Sequence, residues 1–338
     1  MKRLILPFIL LSLVATGPAL LPAASQTRER VVTEAKGDVI KVDVDLVTLD
    51  ALVIQQKTGR IVGNLKREDF ILSEDGVKQQ VTHFSQDALP LSVLLLVDRG
   101  GCLDPFGSKV REAAQDALSR LKPTDEVALM SYHDTVTLVQ EFSRDRKRII
   151  EALDRVPPHD EQAEHCLNRA FYEAAQYMIR AGNPVGRRVI IAITGVTSNF
   201  DCPGPSSVEA THAVLESGSV VCGLIPRSPG QRIEGGVSKL ATSVAGVFKI
   251  RFLSINKLAE ETGGEVLDDK PENLDQAFNT LVSHLRTRYS MGFVPSNKKH
   301  DGSLRKLKLE ISPPRQKTEG KEGKLVVKTR RSYIAPKK

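Results

Sequence analysis

The stretch LSVLLLVDRGGC, residues 91–102, constrains the fold more than any other part of the sequence. It is an almost unbroken apolar run that ends in an acid, Asp98, and passes into a glycine pair. Such a run, bounded by turn residues, is typical of a strand buried on both faces, as in a parallel sheet covered by helices. Ligands of such sheets bind just beyond the carboxyl ends of the strands. The sequence therefore places Asp98 at the edge where an open α/β sheet has its binding site.

The central part of the sequence alternates between strand and helix patterns. Apolar runs at DEVALMSYH, TVTLVQEF, RRVIIAIT and SVVCGLIP predict further strands, the first two as an adjacent pair. Periodic apolar positions predict helices over residues 108–121, 145–156, 165–180, 206–216, 255–262 and 273–288. This alternation is typical of a doubly wound, mostly parallel sheet, so we predict an α/β domain over residues 89–288.

The two flanking segments have β patterns instead. Residues 26–88 contain VIKVDVDLVTLDALVI and a hairpin pattern around Asp75 and Gly76. Residues 289–338 contain YSMGFVP, LRKLKLEIS and KLVVKT, separated by polar turns. Neither segment has enough apolar residues for a core of its own. We therefore predict that the two pack together as one small β-sandwich, with the α/β domain inserted between them.

Near the start of the sequence, Lys2 and Arg3 precede an apolar stretch. Small residues follow this stretch and end at Ser25. This order predicts a secretory signal peptide over residues 1–25, with cleavage after Ser25. The alternative is an uncleaved anchor, because the stretch approaches the length of a membrane span. Prolines and a glycine within it disfavour the anchor. We expect a secreted or periplasmic protein that is not inserted in a membrane after cleavage.

Several of these segments resemble a known family. The strand ending in Asp98, the strand pair with its apolar helix, and RRVIIAIT together resemble a von Willebrand factor type A domain. The motifs GNLKREDFILSEDG, LAEETGGEVL, LDQAF, YSMGFVPSNKKHDGSLRKLKLEI and RRSYIAP resemble, more narrowly, the VWFA-related family described from acidobacteria. The motifs agree with that family in order and spacing over nearly the whole chain after the signal peptide. The resemblance implies a Rossmann-like fold and a binding module.

The resemblance also implies a divalent cation held by three loops, through Asp-x-Ser-x-Ser, a threonine and a second aspartate. The first loop here lacks both serines: Gly100 has no side chain, and the sulfur of Cys102 suits Mg²⁺ poorly. His165 takes the threonine position, and Gly195 stands where the second aspartate would be. Only Asp98 is left, so we predict a degenerate metal site with no metal and no cofactor.

Asp98 then has a structural role in our interpretation. It can accept hydrogen bonds from amides of the glycine loop or pair with an arginine, for which Arg99 and Arg169 are the candidates. A second hypothesis is a zinc site in which Asp98 joins the cysteines and histidine of the converging loops. Its further ligands would be Cys102, His165, Cys166, Asp201 and Cys202, although their spacing matches no zinc motif.

Export would place the four cysteines in an oxidising compartment, where disulfides form. Cys222 lies within the apolar strand SVVCGLIP and is predicted to be a buried free thiol. Cys102 belongs to the first of the three loops, Cys166 to the second and Cys202 to the third, so two of these cysteines are expected to pair. The pairs that include Cys166 are favoured over Cys102 with Cys202, because the second loop lies between the other two.

The charge distribution and the lack of catalytic motifs limit the classes of function that the sequence supports. Residues 297–338 hold fourteen Lys or Arg and four Asp or Glu, but these alternate with apolar residues as in a strand with one solvated face. With export, this disfavours nucleic acid as a partner. No G-x-S-x-G, Walker loop or H-E-x-x-H indicates an enzyme. We predict a metal-independent binding module for a protein or cell-surface ligand.

Two alternatives stay open at this point. One is a metal-dependent adhesion module that uses unorthodox ligands. The other is a hydrolase or redox protein that uses the cysteine and histidine loops. A free, reactive thiol at Cys102 or Cys166 would favour the second alternative.

Overall fold

The computed structural model describes residues 46–101, 104–227, 252–319 and 323–337. The predicted signal peptide, the β pattern before residue 46 and Cys102 lie outside the described residues. The described strands are β1 (Val47–Gln55), β2 (Phe70–Glu74), β3 (Val77–Gln79), β4 (Val81–Ser85), β5 (Leu91–Asp98), β6 (Glu126–Tyr132), β7 (Val136–Ser143), β8 (Arg187–Ile193), β9 (Ser198–Phe200), β10 (Val220–Pro226), β11 (Phe252–Ser254), β12 (Val266–Asp269), β13 (Tyr289–Phe293), β14 (Leu304–Ile311), β15 (Leu325–Thr329) and β16 (Ser332–Ile334). The described helices are α1 (Ser108–Ser119), α2 (Arg146–Leu153), α3 (Leu167–Met178), α4 (Ser207–Ser217), α5 (Ile255–Thr262), α6 (Leu274–Arg286) and α7 (Pro313–Glu319).

A six-stranded sheet forms the centre of the α/β domain, in the order β12-β10-β8-β5-β6-β7. The strand β5 pairs in parallel with β6 and β8, and β10 pairs in parallel with β8 and β12. The edge strand β7 is antiparallel to β6, as the predicted strand pair requires. This mostly parallel sheet confirms the predicted fold class.

The continuous apolar run of β5 is explained by two helical layers, one on each face of the sheet. Every residue of β5 is buried. Val93 and Leu95 belong to a core with α1, α2 and α6, whereas Leu94 and Leu96 belong to a core with α3, α4 and α5. Because successive strand residues point to opposite faces, a strand between two helical layers needs apolar residues at both parities.

The flanking segments form a β-sandwich of two four-stranded sheets, β15-β1-β13-β4 and β16-β14-β2-β3. The strand β1 pairs with β13 and β15, and β2 pairs with β14, so both sheets contain strands from either side of the α/β domain. Leu72, Tyr289 and Phe293 lie in the core that the two sheets share. The predicted sandwich with an inserted α/β domain is confirmed, while the boundaries at residues 88 and 288 stay predictions.

Some elements have no counterpart in the sequence prediction. These are the short antiparallel ribbon of β9 and β11, the strands β12 and β16, and the helix α7. Cys222 is a buried free thiol, as predicted, and burial raises its pKa to about 11. Within the described parts of the chain, no helix has the length and apolar character of a membrane span.

A buried ion cluster joins the α/β domain to the sandwich. Glu265, just before β12, accepts a hydrogen bond from Nδ1 of His284 on α6 at 2.6 Å and another from Lys328 on β15. Burial alone would raise the pKa of Glu265, but these hydrogen bonds and positive charges outweigh it and lower the pKa to about 2. The ionised carboxylate therefore contributes to the stability of this junction.

We expect Glu265→Gln to destabilise the protein by about 2 to 3 kcal/mol at neutral pH. Since the folded-state pKa is depressed, this contribution is present above the unfolded pKa of about 4.3 and is lost as the pH falls toward 2. Urea unfolding of wild type and variant across this range measures the difference. Glu216→Gln, at an exposed position of α4, is the control. A difference that does not shrink on acidification would contradict the prediction.

Candidate binding site at the carboxyl edge of the sheet

Asp98 lies at the carboxyl end of β5, is fully buried and receives three hydrogen bonds. Its Oδ1 accepts from the amide of Gly100 at 3.1 Å. Its Oδ2 accepts from the hydroxyl of Thr194 at 2.6 Å and is 2.7 Å from Nδ1 of His165. Because a carboxylate only accepts, Nδ1 of His165 carries the proton of that contact. The Asp98 carboxylate is thus held by groups of this chain.

Neither candidate arginine pairs with Asp98. The guanidinium of Arg99 is buried and turns to Asp104, with Nη1 2.5 Å from Oδ1. Arg169 donates to backbone carbonyls, including that of Pro203 at 2.5 Å. The side chain that partners Asp98 is therefore His165 and not an arginine.

The glycine pair of the first loop allows the second loop to lie close to it. A Cβ on Gly101 would lie 2.0 Å from Nε2 of His165, and Gly101 has a φ of +88°. A Cβ on Gly100 would lie 2.7 Å from the carbonyl oxygen of Glu164. A serine at either position would therefore collide with the second loop or its imidazole. Gly100 stands at the first serine position of the family's motif, so the loss of that serine accompanies the close approach of the second loop, and Gly101 makes room for His165.

Strand register brings two further side chains to Asp98. In the parallel pairing of β5 and β6, Asp98 lies opposite Tyr132, and Thr194 follows directly after β8. Tyr132 is fully buried, and burial together with the negative charge of Asp98 raises the pKa of its phenol well above the usual value. The sequence analysis missed both residues, although each stands at the carboxyl end of a predicted strand.

A disulfide between Cys166 and Cys202 fastens the second loop to the third, with the two Cα atoms 5.4 Å apart. This is one of the two favoured pairings. Asn168 strengthens the connection, since its Nδ2 donates to the carbonyl of Cys202 at 2.8 Å and its Oδ1 accepts from that residue's amide at 3.1 Å. The side-chain Nδ2 of Asn199 donates to the backbone carbonyl of His165 at 2.7 Å. The position of His165 is therefore set by both loops.

These residues do not fit the family's divalent cation. Gly100 and Gly195 supply no side-chain oxygen, and both oxygens of Asp98 are engaged. An added Cβ at Gly195 meets only the Cβ of Pro105, at 3.9 Å, among the described neighbours. Mg²⁺ requires several hard oxygen ligands in near-octahedral geometry. Asp98 is the one carboxylate that the aligned positions provide.

The zinc hypothesis loses two of its proposed ligands, the described cysteines Cys166 and Cys202. Glu164, Cys166 and Cys202 have potential ligand atoms within 4.8 Å of one another. However, both sulfurs are joined in the disulfide, so neither is a thiolate. The carboxylate of Asp201 accepts a hydrogen bond at 2.8 Å from the amide of Ser207, the first residue of α4.

The loops around Asp98 present an exposed acidic rim. Its members are the exposed carboxylates of the first loop, the β6–β7 turn and the second loop, namely Asp104, Asp134, Asp160, Glu161 and Glu164. The amide of Glu164 donates to Oδ1 of Asp134 at 2.8 Å, so the turn and the second loop are connected. We call these five residues the acidic rim.

The chain was compared with proteins of known function and with solved structures. No protein of curated function matches the sequence. Among solved structures, the chain is similar to an aerotolerance-related membrane protein from Bacteroides fragilis NCTC 9343, with 16% identity, 57% of this chain and 98% of that chain covered, and a TM-score of 0.40. It is similar to BatB from Bacteroides thetaiotaomicron, with 15% identity, coverages of 58% and 98%, and a TM-score of 0.41. It is also similar to proximal thread matrix protein 1 from the mussel byssus, in a structure with a zinc-occupied MIDAS motif, with 13% identity, coverages of 64% and 50%, and a TM-score of 0.42.

The narrower resemblance to the acidobacterial family stays a prediction. At the level of the domain, residues 93–197 match the sequence model of the von Willebrand factor type A domain. They contain most of β5 and all of α1, β6, β7, α2, α3 and β8. The chain therefore contains a von Willebrand factor type A domain.

Proposed function

We propose that the protein is an exported binding module that recognises a protein or cell-surface ligand through the loops around Asp98 without a metal ion. Von Willebrand factor type A domains are typically protein-interaction or adhesion modules rather than enzymes. The ligand would contact the acidic rim, which surrounds the carboxyl edge of the sheet where α/β folds bind ligands.

The contact between His165 and Asp98 is the observation that carries this proposal. A metal-dependent domain leaves its aspartate available to the ion, whereas here an imidazole donor lies 2.7 Å from Oδ2 of Asp98. Gly101 leaves room for that imidazole, and a serine at Gly100 would meet the carbonyl oxygen of Glu164 at 2.7 Å. A metal ion would first have to displace His165 and then find ligands that Gly100 and Gly195 do not provide.

Two features support export and disfavour the alternatives. The pairing of Cys166 with Cys202 suits an oxidising compartment, in agreement with the predicted signal peptide over residues 1–25. The same pairing leaves no reactive thiol at Cys166, which removes one of the two cysteines that the hydrolase or redox hypothesis could use.

The proposal is tested by capture of an envelope fraction from the parent organism on immobilised protein. We expect the same components to be retained in EDTA and in Mg²⁺, and to be lost when the rim charge is reversed in the double variant Glu161→Lys, Glu164→Lys. Glu151→Lys, at an exposed position of α2, is the matched control and should retain them. Retention that requires Mg²⁺, or that survives the rim reversal, would refute the proposal.

A further inference from the structure

A groove of about 670 Å³ lies between the α/β domain and the sandwich. Helices α4 and α5 and strand β11 form one wall, and residues of β14, β16 and the β2–β3 turn form the other. We call it the α4–β14 groove. Neither Asp98 nor any residue of the acidic rim lines it, so it is a different surface from the proposed binding loops.

The groove exposes large apolar side chains from both walls. Val208 on α4 is 53% exposed and Leu304 on β14 is 46% exposed. Phe252 also lines the groove, and it pairs across the ribbon with Phe200, which is 50% exposed. Single exposed apolar residues are common, but a group that lines one concave surface marks an interaction site.

The charges at the groove are mainly positive. Lys257 and Lys306 line it, and neither makes an ion pair within the described ranges. The other two cations have partners, since Lys308 lies 2.9 Å from Glu310 and Arg331 lies 2.6 Å from Glu260. The one carboxylate among the described lining residues is that of Glu261, which accepts from the hydroxyl of Ser332 at 3.2 Å. An occupant with both apolar and acidic side chains would complement this surface.

The sequence disfavours a nearby segment of this chain as that occupant. Residues 228–251 precede Phe252 directly and have a net positive charge. Their charged residues are Arg232, Lys239, Lys249 and Arg251 against Glu234. Like charges would oppose their binding beside Lys257 and Lys306. Charge therefore disfavours residues 228–251 as the occupant of the groove.

We propose that the α4–β14 groove binds an acidic segment of a partner protein. Apolar side chains of that segment pack between Val208 and Leu304, and its carboxylates pair with Lys257 and Lys306. The two lysines provide orientation and selectivity, while the apolar contacts provide most of the affinity.

Fluorescence anisotropy with labelled synthetic peptides tests this surface. The probe is a peptide in which pairs of leucines alternate with pairs of glutamates. It is compared with a leucine–lysine peptide and a serine–glutamate peptide of the same length, and with phosphatidylglycerol vesicles. We expect the leucine–glutamate peptide to bind and each of the other two peptides to bind about tenfold more weakly or not at all.

Variants locate the binding. The double variant Lys257→Glu, Lys306→Glu and the single variant Leu304→Ser should each weaken binding of the leucine–glutamate peptide by about tenfold or more. Lys147→Glu, whose side chain is 84% exposed on α2, should bind as the wild type does. The rim variant Glu161→Lys, Glu164→Lys should also bind normally, which separates this proposal from the preceding one. Circular dichroism verifies that each variant is folded.

Several results would overturn the proposal. They are absence of binding by the leucine–glutamate peptide, equal binding of either comparison peptide, unchanged binding by the lysine variant, or binding of the vesicles in place of the peptide. The last result would indicate an anionic membrane surface as the partner of the groove.

Discussion

Replacing Asp98 by alanine is expected to lower the free energy of unfolding by about 3 to 5 kcal/mol, because a buried group with a charge-assisted partner is lost. The change removes the carboxylate that accepts hydrogen bonds from the hydroxyl of Thr194, the amide of Gly100 and Nδ1 of His165. Each buried donor left unpaired costs about 1 to 3 kcal/mol. Urea unfolding in EDTA and in Mg²⁺ measures the loss, which should be equal in both. Metal stabilisation of the wild type that is absent from Asp98→Ala would show a functional metal site.

A double-mutant cycle separates the contact between Asp98 and His165 from other effects. We expect His165→Ala to be destabilising as well, and the double variant to cost about 1.5 to 3 kcal/mol less than the sum of the single variants. Asp154→Ala, at a largely exposed carboxylate after α2, serves as the control and should change stability by about 0.5 kcal/mol or less. Simple additivity of the two single changes would mean that the imidazole does not hold Asp98.

Removal of the disulfide by Cys166→Ala with Cys202→Ala is expected to destabilise the protein by about 2 to 4 kcal/mol. The bond closes a loop over a sequence separation of 36 residues. The chain-entropy relation gives about 4 kcal/mol for a loop of that length. Asn168 should keep the third loop close to α3 in the variant. Its side chain is hydrogen-bonded to the backbone carbonyl and amide of Cys202, which the substitution by alanine retains.

A reductant supplies the matched control for the disulfide. Dithiothreitol should lower the unfolding free energy of the wild type to that of the double variant and leave the variant itself unchanged. Thiol titration of the denatured, unreduced wild type should detect Cys102 and Cys222 only. An unchanged wild type in dithiothreitol, or reaction of Cys166 before reduction, would contradict the assignment.

The fold could be predicted from the sequence where one pattern extends over many residues. The run in β5 predicted a strand between two layers, and both cores are present. The helix predicted over residues 255–262 is α5, and that predicted over 273–288 is α6, Leu274–Arg286. The ribbon of β9 and β11 could not be predicted, because strands of three residues show no period and pair across a long separation in sequence.

The site was predictable in position but not in chemistry. The sequence predicted that Asp98 at the end of β5 and His165 in the second loop both lie at the carboxyl edge of the sheet, and in the structure these two residues contact each other. Thr194 and Tyr132 depend on the register between strands, which a local pattern does not specify. The sequence analysis interpreted Gly100 as a missing ligand and the glycine loop as a source of amide donors, whereas the structure shows in addition that Gly100 and Gly101 make room for the second loop. This second role depends on a distance between loops that are far apart in sequence.

The insertion of the α/β domain into the sandwich has a mechanical consequence. The chain leaves the sandwich after β4 and returns at β13, and these two strands are hydrogen-bonded neighbours. Tension applied at residues 46 and 337 therefore acts first on the ladders and core of the sandwich. The α/β domain has both of its chain connections at adjacent strands, so the covalent chain does not stretch it until β4 and β13 separate. A ligand held at the loops would thus remain bound to an undeformed surface while the chain on either side carries a load.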